Sequence, residues 1–491
     1  MLSFYLFFYN LYNFSQDVNH FSGVRDPYHF NQACFIDNST KSLNEAESLI
    51  VQFGDAISLS RTQDFMYDTL HNLAIKTNST LITIEHRFFG TSKPVVYYIT
   101  IQYLSIQNIL EDYSLILQDI KSKYPNIKKI FVAGCGYAGS LAAWFRIKYP
   151  NIADGSWSSS SGIKSQFRFP EFDQQLGNRI DSINHECLVQ SHNLITQIDE
   201  DLFKKHNLEL YKIFGFPEIE TIESVAYTLS EGFSLLERSG LLKDFCQNLT
   251  KFPNLTTYAI AFNRSLSILN YKLSMYDLDD LLDDEKPRVY IQCKNIGWFH
   301  VYSNTSSYVL RSKYLNEAFY HKICQEHYGF KQFSDDLNYF LDPKNTHLSQ
   351  MIFTYREFDP FSIIGINKNN SSPNIKYVQV NNSYHAWDLK PRPELDTEAL
   401  IRTRSELMSF AESIITDSCS KTCSEDHGFC VEGKCLCKKG FSGENCNTSV
   451  ILSKNFKIFS AIITIIPTFL FIAIMIMLFF VFPEKSNKMN F

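Results

Sequence analysis

Charge is missing from residues 458–482 of this 491-residue chain. A run of that length exceeds the roughly 20 residues needed to cross hydrocarbon, so it is predicted to be a transmembrane helix. An excess of positive charge is also missing. The 46 Lys and Arg residues stand against 52 Asp and Glu, a formal net charge of -6, which removes the electrostatic case for a nucleic-acid partner. No period of 20–50 residues recurs, which excludes a solenoid or propeller. The apolar stretch at residues 2–9 lacks a basic segment before it and a small-residue cleavage site after it. Residues 1–13 therefore read either as a poor or truncated signal peptide or as an internal strand left by a shortened gene model.

What is present fits export. Glycosylation sequons occur at Asn13, Asn38, Asn78, Asn248, Asn254, Asn263, Asn304, Asn369, Asn370, Asn381 and Asn447. Twelve cysteines accompany them, six within residues 419–446, and both features favour an oxidising lumen or cell exterior. Lys454 and Lys457 before the apolar span and Lys485 and Lys488 after it leave orientation open by charge. Sequons and cysteines place the bulk outside, at the cell surface or in an endolysosomal or vacuolar lumen, with residues 483–491 as a short cytoplasmic tail.

Short apolar runs at 48–53, 80–85, 129–133, 350–355 and 376–380 read as buried strands. Ile106, Ile109, Leu110, Tyr113, Leu117 and Ile120 recur at helical spacing and stop before Pro125. Alternating strands and helices predict a mainly parallel sheet covered on both faces, an α/β class. Strand signals fade over about 167–335, where helical patterns such as 199–214 and 222–242 dominate, so this block is expected to be a helical cap inserted between 14–166 and 336–417. Asp396 is the expected N-cap of a closing helix with Leu400, Ile401, Leu407, Phe410, Ala411 and Ile414 facing the core.

Cys419, Cys423, Cys430, Cys435, Cys437 and Cys446 lie in a segment too short to build a core of its own. Gly428–Cys430, Cys435–Cys437 and the glycines around Phe441 before Cys446 resemble an EGF-like module. That resemblance implies pairing of first to third, second to fourth and fifth to sixth, although six cysteines alone allow fifteen connectivities. The module over 419–446, followed by a linker at 447–457, would be a stalk; neither metal nor cofactor is predicted. Cys293 with Cys324 and Cys187 with Cys246 are expected cap disulfides, with Cys34 and Cys135 unassigned.

An apolar run followed by Gly134-Cys135-Gly136-Tyr137-Ala138-Gly139 and an amphipathic helix has the setting of a nucleophile elbow, in which a strained turn lifts a side chain above the sheet. The other landmarks are Asn19-His20-Phe21, Phe53-Gly54-Asp55, Glu85-His86-Arg87-Phe88-Phe89-Gly90, Ala142-Ala143-Trp144-Phe145-Arg146, Gln292-Cys293, Asp359-Pro360-Phe361 and His385. In this order the chain resembles, from about residue 14 to 415, the serine exopeptidases that include prolyl (Pro-Xaa) carboxypeptidase and dipeptidyl peptidase II. The resemblance implies an α/β-hydrolase fold with a helical cap and cleavage next to proline near a peptide terminus. It also implies a triad in which Asp359 orients the base His385, with oxyanion donors at Tyr137 and near Gly54.

The nucleophile is the departure. Where the family carries serine, Gly136 has no oxygen to acylate, and loss of that residue in a triad enzyme typically costs roughly a million-fold. Cys135 does not replace it, since the turn is centred one residue later, and Ser140 and Ser158 to Ser161 lie outside the elbow. Gln292 and Asn295 occupy a stretch where the family carries a carboxylate for substrate recognition; Asn295 is neutral. The chain is therefore expected to be a membrane-anchored glycoprotein that binds a peptide or protein without cleaving it, with a homodimer also admitted. Two alternatives stay open: an active exopeptidase, should Gly136 be a sequence error, and an adhesion or receptor protein acting through its EGF-like face.

Overall fold

A computed structural model describes residues 9–23, 27–59, 66–204, 208–216, 221–269, 285–305, 307–340, 348–366, 375–416, 427–431 and 434–449. The chain divides into two compact units, Met1–Thr416 and Asp417–Phe491. The first is built on an eight-stranded sheet of order β1-β2-β4-β3-β5-β6-β9-β10. The strands are β1 Tyr9–Asp17, β2 His29–Asp37, β3 Ser48–Phe53, β4 Thr80–Ile84, β5 Lys129–Cys135, β6 Gly155–Ser159, β9 Met351–Arg356 and β10 Ile375–Val380, with β7 Gln166–Arg168 and β8 Gly297–Phe299 forming a separate pair.

Strands β4, β3, β5, β6, β9 and β10 run parallel, while β1 and β2 join antiparallel at one edge. This order and these directions are those of an α/β-hydrolase sheet. The five apolar runs read from sequence all lie on its strands. Strands β3, β4 and β5 are buried along their whole length, as parallel strands covered on both faces must be. Helices Ile106–Lys123 and Tyr137–Lys148 pack one face through Ile109, Tyr113, Leu117, Leu141 and Trp144. Helices Asp68–Thr77 and Glu398–Thr416 cover the other through Leu70, Leu73, Leu407 and Ile414.

Two local expectations change. Tyr9 to Asn13 form the start of β1, registered against β2 from Tyr9↔Asp37 to Asp17↔His29, so the boundary drawn at residue 13 falls inside a strand. The closing helix is capped by Thr397, whose hydroxyl accepts from Leu400 N at 3.3 Å. Asp396 instead accepts from Tyr384 Oη at 2.6 Å and from Arg404 at 2.9 Å.

The inserted block is helical, from Glu171–Ile183 through His185–Phe203, Ile222–Arg238, Leu242–Leu249 and Leu255–Leu269 to Glu317–Tyr328. Its own core gathers Leu229, Phe233, Phe245, Tyr258 and Phe262. Disulfides Cys187–Cys246 and Cys293–Cys324 close it as expected.

The second unit shows antiparallel pairs Gly428–Val431 with Lys434–Cys437 and Phe441–Ser442 with Thr448–Ser449. Cys437 bonds to Cys446 and Cys435 is also disulfide-bonded. Cys419, Cys423 and residues 458–482 lie outside the described residues. Among the described residues no helix is long and apolar enough to cross a membrane.

Candidate functional site

Strand β5 ends at Cys135, and the chain turns into helix Tyr137–Lys148 through Gly136 at φ 59°, ψ -130°. A residue with a side chain rarely occupies that conformation, and such outliers gather at functional sites. The turn is held by Gly136 N donating to Ser159 O at 2.9 Å and by Ser140 N donating to Gly136 O at 3.1 Å. It closes tightly. A Cβ built on Gly134 would meet Ala138 C and O at 2.5 Å, and one on Gly139 would meet Ser161 Oγ at 2.0 Å. At Gly136 itself a Cβ would meet only Asp55 Oδ2, at 3.9 Å. The elbow geometry thus survives with room at its apex for a side chain that is not there. Because backbone atoms block position 134, Gly134→Ala is expected to cost about 3 kcal/mol through overpacking, read as a lowered denaturant midpoint.

Cys135 lies below the apex. Its side chain is buried, and Tyr67 Oη lies 3.3 Å from its Sγ, so the thiol belongs to the core. Ser140 sits in the helix with its hydroxyl donating to Gly136 O at 3.3 Å.

Tyr137, the residue after the apex, is oriented by His86. The His86 Nδ1–H donates to Arg87 O at 2.6 Å, which leaves Nε2 to accept from Tyr137 Oη at 3.1 Å. Burial is the main reason the His86 pKa falls from 6.5 to about 4. Between those values the unfolded chain takes up a proton that the folded one refuses. This contribution to stability is complete above pH 6.5 and is lost as pH falls toward 4, about 3 kcal/mol in all. Ring-nitrogen NMR should find His86 neutral down to about pH 4.

The remaining landmark acids and bases are held in buried pairs. Arg87 Nε and Nη2 hold both oxygens of Asp112 with all these side chains buried, and Asp112 Oδ1 lies 2.6 Å from His20 Nε2. Glu85 accepts from Thr91, Ser92 and Leu59 N.

Asp359 follows β9 and caps the short turn Pro360–Ser362, accepting from Phe361 N at 3.1 Å through Oδ1. Its Oδ2 is buried with no hydrogen-bond partner among the described residues, the position in which an imidazole N–H would be received. Burial raises the carboxyl pKa, against the opposing pull of Arg356 and the Ser160 hydroxyl. His385 stands in the loop after β10, half-buried. Burial holds its pKa well below 6.5, and Arg238, Arg356, Lys390 and Arg392 push the same way. The imidazole is therefore neutral at pH 7, the form a general base requires. No hydrogen bond joins Asp359 to His385 among the described residues, so the acid does not hold the base's tautomer here.

The His385 loop is pinned by a residue that no motif singles out. Asp388 is fully buried and accepts from Trp157 Nε1 at 2.6 Å, from Ser159 Oγ at 2.6 Å and from Thr354 Oγ1, fixing the loop to the ends of β6 and β9. Asp55 is the other, since the landmark Phe53-Gly54-Asp55 did not reveal that its carboxylate faces the empty apex.

Two assigned roles change. Gly54 N donates to Ile84 O at 2.8 Å, so that N–H is already used and is not an oxyanion donor. Asn295 Oδ1 accepts from Ile106 N at 3.2 Å, which places it at the first turn of helix Ile106–Lys123 as a structural group. Gln292 Oε1 is buried without a partner among the described residues.

The serine carboxypeptidase S28 family matches residues 16–216. The Arabidopsis thaliana protein named "Probable serine protease EDA2" is 24% identical over 357 residues, 67% of this chain and 71% of that protein. "Lysosomal Pro-X carboxypeptidase" of Homo sapiens is 28% identical over 164 residues, 32% of each chain. "Prolyl carboxy peptidase like protein 5" of Caenorhabditis elegans is 36% identical over 118 residues, 22% of each. The family match covers the part of the chain that holds β2 to β6 and the elbow. The last two alignments span about a third or less of those relatives' length. Among solved structures, the proline iminopeptidase of Mycobacterium smegmatis is similar with a TM-score of 0.33 and 11% identity, over 82% of this chain and 98% of that one.

Proposed function

We propose that this chain is a prolyl-carboxypeptidase-like protein that binds peptide or protein ligands in its cleft and does not cleave them. The observation that carries the reading is Gly136 at φ 59°, ψ -130°, the apex of an intact elbow with no oxygen to attack a carbonyl. A neutral base at His385 and a buried acid at Asp359 do not supply a nucleophile. Tyr137 N–H, at the first turn of its helix, is the remaining oxyanion donor in this reading.

Aromatic rings close the wall beside Asp359. Phe361 lies 5.5 Å from Trp298, 5.8 Å from Phe169 and 6.3 Å from Phe172, measured between ring centroids. Phe169 and Trp298 are buried in the core, and the half-buried Phe172 and Phe361 are the rings that suit a proline-containing peptide through apolar contact. The same proposal places the protein as an exported glycoprotein with an EGF-like stalk and a membrane helix at 458–482. It is supported by exposure: every described sequon asparagine, Asn13, Asn38, Asn78, Asn248, Asn254, Asn263, Asn304, Asn381 and Asn447, faces solvent.

The test is incubation of the purified chain with a peptide ending in Pro-Xaa, followed by calorimetry and mass spectrometry. Saturable binding with the peptide recovered intact is expected. Release of the terminal residue, or no binding by any such peptide, would refute the proposal.

A further inference from the structure

We infer that the side-chain carboxyl of Asp55 is a ligand-binding group: standing over the bare apex of the elbow, it holds the carbonyl oxygen of a bound peptide jointly with the N–H of Tyr137. The inference deepens the ligand-binding function proposed above and rests on that reading for what carries the carbonyl.

Two donors ordinarily meet a carbonyl oxygen at an elbow. Here one of them is spent, because Gly54 N donates to Ile84 O at 2.8 Å, and Tyr137 N–H is left alone. The residue after Gly54 makes up the deficit with its side chain. Apart from the chain neighbours of Gly136, the one atom of the described residues within 4 Å of a Cβ built there is Asp55 Oδ2, at 3.9 Å. By covalent geometry that point lies about 3 Å from Tyr137 N, so an oxygen lodged beside it lies at hydrogen-bond length from carboxyl and N–H together.

The carboxyl is held so that it points there. Gly54 is clamped, since a Cβ on it would meet Ile84 O at 2.8 Å. Asp55 O accepts from Ile57 N and Asp55 Oδ1 accepts from Ala56 N, each at 2.7 Å. These contacts fix the backbone and the carboxyl plane and leave Oδ2 without a hydrogen-bond or ion-pair partner among the described residues. Asp112 and Asp388 are fully buried, whereas Asp55, Ala56 and Ile57 keep part of their surface open. They follow the carboxyl end of β3, the end of a parallel sheet at which ligands bind.

The proton on that carboxyl decides whether it donates or accepts. Desolvation by the surrounding protein is the main influence on Asp55 and raises its pKa, while Lys390, Arg238 and Arg288 pull the other way. The phenols of Tyr113 and Tyr137 lie close enough to interact with it, and Tyr137 Oη is itself engaged by His86. A carboxyl that keeps its proton carries one O–H donor, and in a water-poor site such an acid can hold a carbonyl oxygen. Binding of a carbonyl ligand is then complete below the raised pKa and is lost as pH rises through it, when the ionised oxygen repels the carbonyl.

The experiment uses the full chain and three probes: a peptide ending in Pro-Xaa, the same peptide with sulfur replacing the oxygen of the carbonyl before Xaa, and the small amide N-acetylpyrrolidine. A thiocarbonyl is the weaker acceptor, so the oxygen peptide is expected to bind about fivefold or more tightly. Asp55→Ala should remove that preference, and Asp55→Asn, which keeps a donor, should preserve it. Affinity for the oxygen peptide should fall as pH rises in the native chain and flatten in Asp55→Asn. N-acetylpyrrolidine bound with the same dependence on Asp55, with neither peptide bound, would leave the carboxyl its role and refute the peptide reading. Equal affinity for both peptides, unaffected by Asp55→Ala, would overturn that role and leave the peptide reading intact. Binding of none of the three overturns both.

Discussion

Gly136→Ser is expected to give a protein that forms a covalent fluorophosphonate adduct. Space is available, since a Cβ at this apex would meet only Asp55 Oδ2 at 3.9 Å. The surrounding turn imposes φ 59° whatever residue stands there, so serine should fold into the elbow at a strain cost of about 1–3 kcal/mol. In a chain of this size that lowers the melting temperature by only a few degrees, about 1 °C per kcal/mol. Full peptidase activity should not follow. Asp359 makes no hydrogen bond to His385 among the described residues, and a triad whose acid fails to hold the base in its tautomer loses roughly ten-thousand-fold in kcat. Labelling with very slow peptide turnover is thus the expected pair of results. Rapid turnover would show that acid and base are coupled after all, and absent labelling in a folded variant would show that the base does not reach the apex.

Asp388→Ala is expected to be the most damaging single change near the cleft. It strands an indole N–H and two hydroxyls in a dry interior, those of Trp157, Ser159 and Thr354. Each such unpaired group costs about 1–3 kcal/mol, so a loss of roughly 3–5 kcal/mol is expected in denaturant unfolding. Cleft binding should weaken with it, because the loop bearing His385, Lys390 and Arg392 loses its tether. A change below about 1 kcal/mol would mean that the straps from Arg404 to Trp387 O and from Tyr384 to Asp396 hold the loop without it.

Strands β3, β4 and β5 were legible from sequence because parallel strands covered on both faces are uninterrupted apolar runs. The elbow was legible because its glycines are demanded by backbone contact between Gly134 and Ala138. Strand β1 was not. It is an edge strand whose Asn, Ser and Gln residues mix with aromatics, and its burial is patchy, so it carries neither alternation nor a solid apolar run. Asp396 has the composition of a cap, but a nearby arginine offers its carboxylate a stronger partner than a helix N–H.

Gly54 and Asn295 were misassigned for a related reason. Position in a motif does not say where a backbone N–H or a side-chain oxygen finds its partner. Asp388 was invisible because a single aspartate reveals nothing until its donors from β6 and β9 are in place.

No oxygen nucleophile stands at the apex of the elbow. Intact-mass spectrometry of the unmodified protein after prolonged exposure to a fluorophosphonate tests it most directly. Unchanged mass, with an adduct formed only by Gly136→Ser, is the predicted result. An adduct on the unmodified chain, mapped to any residue of the cleft, would contradict it.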